Sequence, residues 1–126
     1  MKKYSFEKLD VWEKSNDFVD KIFDLVMKFP KDEKFCLTSQ LKRAALSVSN
    51  NIAEGSGRIT AKDKANFTQI SFGSLMECLN MIITARRRNY ISDDQEFDLR
   101  NDINSIAQKL SKLRRTQLSN PQTLNY

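Results

Sequence analysis

The chain has 126 residues, with 21 Lys/Arg against 16 Asp/Glu, a formal charge of +5, no His, 3 Gly and 2 Pro. That length buries roughly two-thirds of the unfolded surface and fits one domain over 1–126, while so few Gly and Pro leave the chain to long helices. Without His, the commonest general base, the Ser-His and Cys-His nucleophile pairs and the usual zinc ligand sets are excluded, so no catalytic residue, metal or cofactor is expected.

The charge is uneven. Residues 1–57 carry ten Lys/Arg against nine Asp/Glu, a net of +1, and residues 58–126 carry eleven against seven, a net of +4. Cys36 and Cys78 form no C-x-x-C pair and read as two buried, reduced thiols. Met1-Lys2-Lys3 resembles the start of a signal peptide, but Glu7, Asp10, Glu13 and Asp17 interrupt the stretch where an apolar region would follow. No run approaches the length of a membrane span, and the expected compartment is the cytoplasm.

Leu9, Trp12, Val19, Ile22, Phe23 and Val26 recur at helical spacing with acids between them, which predicts a first helix over about 6–28, ended by Phe29-Pro30. Leu37, Leu41, Ala44, Ala45, Val48 and Ile52 predict a second over about 37–54, stopped by Gly55 in a left-handed cap. Its apolar side is small enough for close approach of a neighbour. Thr60 is placed to cap a third helix over about 61–88, with Asp63 in its first turn and Asn89 as its left-handed stop. Phe67, Ile70, Leu75, Leu79 and Ile82 suit one face of it. Phe72, Met76, Met81 and Ile83 carry apolar surface round much of its circumference, which predicts contact on more than one side.

Ser92 and Gln95 form a capping box for a fourth helix over about 93–118, where Leu99, Ile103, Ile106, Leu110 and Leu113 step by 4, 3, 4 and 3. The tail 119–126 has no periodicity and is expected to be disordered. Four helices with short connections and no alternating strand pattern predict an all-α fold, an up-down-up-down antiparallel four-helix bundle.

Three stretches carry a family resemblance: Phe6-x-x-Leu9-x-Val11-Trp12-x-Lys14, then Leu37-Thr38-Ser39-Gln40-Leu41-Lys42-Arg43-Ala44-Ala45 continuing to Asn51-Ile52-Ala53-Glu54-Gly55-Ser56-Gly57-Arg58, and Gly73-Ser74-Leu75-Met76-Glu77. Over about 6–118 the chain resembles the bacterial four helix bundle protein family, also called the 23S rRNA intervening-sequence protein family. It departs from that pattern at Ser49, where a mid-helix Pro is common, and at Ser71-Phe72, where a smaller pair stands. The resemblance implies a homopentameric bundle without established catalytic activity. A more distant similar bundle is an accessory protein of retroelement reverse transcriptases and binds nucleic acid through a basic surface. The partner classes so implied are further copies of the chain, RNA or DNA, and a reverse transcriptase or other protein.

Each candidate site has a plain structural reading beside the functional one. Arg86, Arg87 and Arg88 close the third helix, and Lys109, Lys112, Arg114 and Arg115 lie near the end of the fourth, at the opposite pole. Cations there suit the helix dipole, and in an oligomer they would also engage phosphates multivalently. Asn51 and Glu54 share a helical face with Arg58 just beyond, either as a ligand-contacting cluster or as a register-fixing network in which Glu54 pairs with Arg43 or Arg58. Phe72 and Met76 are the expected contact between copies. The function expected is a non-enzymatic homo-oligomeric scaffold that binds RNA or DNA through basic patches, the alternative being a structural or protein-interaction module without nucleic acid.

Overall fold

Side chains satisfy free backbone groups at the starts of the third and fourth helices and at the end of the second. The computed structural model describes residues 1–119. Four helices follow a short 3-10 turn at Ser5–Lys8: α1 (Asp10–Val26), α2 (Leu37–Ser56), α3 (Ala61–Arg87) and α4 (Asp93–Ser119). No strand occurs among the described residues. Apart from Ser119, which closes α4, the predicted tail lies outside the described residues.

The caps explain the boundaries. The Thr60 hydroxyl accepts from the Asp63 amide at 3.1 Å, which satisfies one of the free donors of α3. Asn89 takes φ 62° after α3, where its amide donates to the Arg86 carbonyl and the Tyr90 amide to the Ala85 carbonyl, a Schellman ending. Ser92 and Gln95 form the expected reciprocal box, at 3.1 and 2.8 Å.

Two boundaries differ from expectation. Leu9 is extended, with φ −82° and ψ 125°, so the residues before it form a separate 3-10 turn instead of the first turn of α1. Gly55 does not stop α2: the helix runs through it to Ser56, and no glycine has positive φ. Gly55 is buried in the helix because α3 passes against it. The end of α2 is covered by the amide of Gly57 and by the Lys64 ammonium, which donates to the Ser56 carbonyl at 3.1 Å.

The helices pack in chain order, α1 on α2, α2 on α3, α3 on α4, with α4 closing on α1 through the loosest seam. Phe18, Ile22, Leu41, Val48, Leu75, Ile82, Ile103, Ile106 and Leu110 are almost wholly covered at the centre. Burying each such side chain contributes roughly 1.5–3 kcal/mol, so this layer holds the bundle together.

The α2/α3 seam is close because its residues are small. Ala44, Ala45 and Gly55 are buried on α2, Ser47 and Ser74 hydrogen-bond across at 2.8 Å, and Ser71 donates to the Val48 carbonyl at 2.7 Å. Ser49 sits in an unbroken helix and its hydroxyl donates to the Leu46 carbonyl at 3.2 Å, so α2 is not interrupted at the position where a proline would have removed a donor. The cysteines part company: Cys78 is buried as expected, but Cys36 is exposed. It precedes α2 in the connection, outside the apolar face that Leu37 begins.

Candidate nucleic-acid interface

An antiparallel bundle places the cations at two poles. At one, α3 ends and α4 begins, and Arg86, Arg87 and Arg88 lie there. Arg86 is taken up locally: its guanidinium pairs with Asp93 and donates to the Asn89 side chain at 3.0 Å. That hydrogen bond and charge raise the Arg86 pKa and hold Asp93 below the usual carboxylate range. Arg88 lies against Tyr90 and donates to its hydroxyl at 3.4 Å, while that hydroxyl donates to Glu33 at 2.7 Å. Only Arg87 of the three is without a described polar partner.

At the opposite pole α4 ends beside the starts of α1 and α3. Lys109 pairs with Asp10 at 2.7 Å across the α1/α4 seam, and this contact lowers the Asp10 pKa. Lys112, Arg114 and Arg115 are different. They are exposed, and none has an acidic partner among the described residues. After Asp102 come four Lys/Arg and no Asp or Glu, so an acidic partner has to come from elsewhere in the bundle, as Asp10 does for Lys109.

Further along the α1/α4 seam, Lys21 bridges Asp102 at 2.8 Å and Asp98 at 3.1 Å, and these two hydrogen bonds raise its pKa. The acids of early α4 are thus partly neutralised within the bundle, whereas its late cations face solvent.

The polar cluster of α2 divides in two. Asn51 is half-buried and donates to the Ser47 carbonyl at 2.8 Å and to its hydroxyl at 3.0 Å, joining the Ser47–Ser74 bond between α2 and α3. Glu54 faces outward and pairs with Arg58 at 2.7 Å, the second of the two partners expected for it. Arg58 also lies 4.4 Å from the centre of the Phe67 ring. Arg43 is exposed and makes no ion pair among the described residues.

Phe72 and Met76 are half-buried against their own core, Phe72 beside α4. Periodicity did not identify the apolar side chains left open on the helices and their connections, among them Ile70 at 42% exposed, Phe97 at 68% and Phe35 at 88%. Ile70 was expected on the core face. It falls outside the arc of Leu75, Cys78 and Ile82, and a summed pattern cannot rank residues at the margins of a broad apolar stripe. Among the described residues no group of three Cys, Asp or Glu is arranged to hold a metal, and no helix is long and apolar enough to cross a membrane.

The family model for 23S rRNA-intervening sequence protein matches residues 7–112. The chain belongs to that family. Its fold is shared by a solved protein of unknown function from the S23 ribosomal protein family of Bacteroides thetaiotaomicron VPI-5482, with TM-score 0.77 and 24% identity over 83% of this chain and 95% of that one. No curated protein matches the chain. Neither the family nor the solved structure is described by an enzymatic activity. The matched span takes in the α2 motif, the capped α3 and α4 as far as Lys112, so Arg114 and Arg115 lie just past its end.

Proposed function

We propose that this family member is a non-enzymatic, self-associating helical scaffold of the cytoplasm that binds RNA or DNA through the basic end of α4. The observation that carries the reading is the run of cations at the end of α4 left unpaired among the described residues, set against the cations elsewhere that are paired within the bundle. Arg86 and Lys109 are committed to Asp93 and Asp10, whereas Lys112, Arg114 and Arg115 have no acidic partner among the described residues. A few unpaired cations bind phosphates weakly, and copies in one assembly multiply the contact. The family resemblance suggests five copies. The open apolar side chains Ile70, Leu46 and Phe97, with the uncovered part of Met76, supply surface for contact between them.

Fluorescence anisotropy with labelled mixed-sequence RNA and DNA tests the nucleic-acid reading. Binding should be tolerant of sequence and fall steeply with salt. Lys112→Ala, Arg114→Ala and Arg115→Ala together should weaken it and reduce the magnitude of the log–log salt slope by roughly 2–3, as expected for three lost phosphate contacts. The same change at Arg86, Arg87 and Arg88 should do less. No binding at low salt, or an unaffected α4 variant, would refute the assignment.

A further inference from the structure

We infer that the groove between α3 and α4 is a stacking site for an unpaired base, so that the nucleic acid bound is single-stranded. This rests on the nucleic-acid reading above and specifies the form of strand. The groove is an open trough of about 600 Å³, lined by Phe72 from α3 and by Ala107, Gln108, Ser111, Lys112 and Arg115 from α4.

Three chemistries meet there. Phe72 is only half-covered by the core, so the groove has an aromatic surface beside it. Ala107 is small and leaves room on the α4 side. Lys112 and Arg115 lie three residues apart on one edge of α4, about 4.5 Å along its axis, and supply positive charge next to the ring. Gln108 and Ser111, one turn earlier, offer an amide and a hydroxyl to a base edge or a phosphate. No acid lines the groove.

That combination fits a single strand better than its alternatives. A duplex presents phosphates to side chains but keeps base faces stacked inside, so Phe72 would gain nothing from it. An unpaired base exposes a π-face of either ring type, and adjoining phosphates reach the cations. An uncharged apolar segment from a second copy would use the ring but leave Lys112 and Arg115 without a partner.

The full-length protein is titrated with a labelled single strand and with a hairpin duplex of the same composition. Wild type should prefer the single strand. Phe72→Leu, which keeps apolar packing and removes the π-face, should cost the single strand on the order of tenfold in affinity and leave duplex binding and helicity unchanged. Phe72→Trp should restore the affinity, and its emission should be quenched on binding beyond any change from Trp12. If Phe72→Leu binds the single strand as wild type does, while the Lys112, Arg114 and Arg115 variant weakens both forms, the stacking site is wrong and the electrostatic reading stands. If wild type binds neither form, both readings fall. If Phe72→Leu lowers the assembly mass without changing strand preference, the groove is a contact between copies and the stacking site is overturned.

Discussion

Gly55 of α2 lies directly against Phe67 of α3: a Cβ on Gly55 would stand 3.0 Å from the Phe67 Cβ and 3.2 Å from the Lys64 carbonyl oxygen. Neither atom is the free end of a flexible chain, so relief requires α3 to shift on α2. Gly55→Ala should therefore destabilise by about 1–3 kcal/mol, despite the better helix propensity of Ala. Gly73 has nothing within 4 Å of such a Cβ, and Gly73→Ala should stabilise by about 0.5–1 kcal/mol. Urea unfolding followed by circular dichroism measures both, and equal signs would contradict the close approach at Gly55.

Leu110 is 1% exposed and ends the buried row of α4. Leu110→Ala should cost about 2–5 kcal/mol through lost burial and the cavity left behind. Leu118, exposed on the same helix, should tolerate Ala within about 0.5 kcal/mol. Thermal or urea melts of the pair distinguish the two environments.

The two thiols should react differently. Burial pushes the Cys78 pKa up to about 12, so its thiol stays protonated and shielded, whereas Cys36 is exposed. An alkylating reagent should add once to the native protein, at Cys36, and twice in denaturant, read by mass spectrometry. A raised folded pKa also means that the unfolded thiol ionises first. Its contribution to stability is present below the ordinary value of 9.0 and is lost as pH rises above it.

Ion pairs set the acid side of the stability curve. Asp10 and Asp93 have pKa values lowered below 3.8 by their contacts with Lys109 and Arg86. A depressed folded pKa adds stability above 3.8 that disappears as pH falls through the folded value. Melting temperature should therefore decline on the acid side of about pH 4, and Asp10→Asn should blunt the decline. High salt should reduce the effect, because both pairs are at the surface.

Self-association should appear as a mass several times 14.6 kDa in light scattering. Ile70→Glu or Phe97→Glu should lower that mass while leaving helicity intact, since both side chains are open to solvent in the single chain. Lys62→Glu, a charge change at an already polar exposed position, should leave the mass unchanged. A wild-type mass of one chain at all concentrations would end the oligomeric reading.

What the sequence determined by itself was whatever depends on neighbours along one helix. The four helices, Thr60 as a cap, the Ser92–Gln95 box, the left-handed Asn89 and the seam through Leu110 were all legible, because each rests on spacing of a few residues. Tertiary structure decided what depends on residues far apart in the chain. Gly55 read as a helix end, since a glycine after an apolar run usually is one, and only the passage of α3 shows it to be a point of contact. The basic runs read alike, as two clusters near helix ends. Packing separated them, because Asp93 folds back onto Arg86 and Asp10 arrives beside Lys109 from another helix, while no acid reaches Lys112, Arg114 or Arg115 among the described residues. The charge of a patch is a sum over space, and sequence order supplies only the terms.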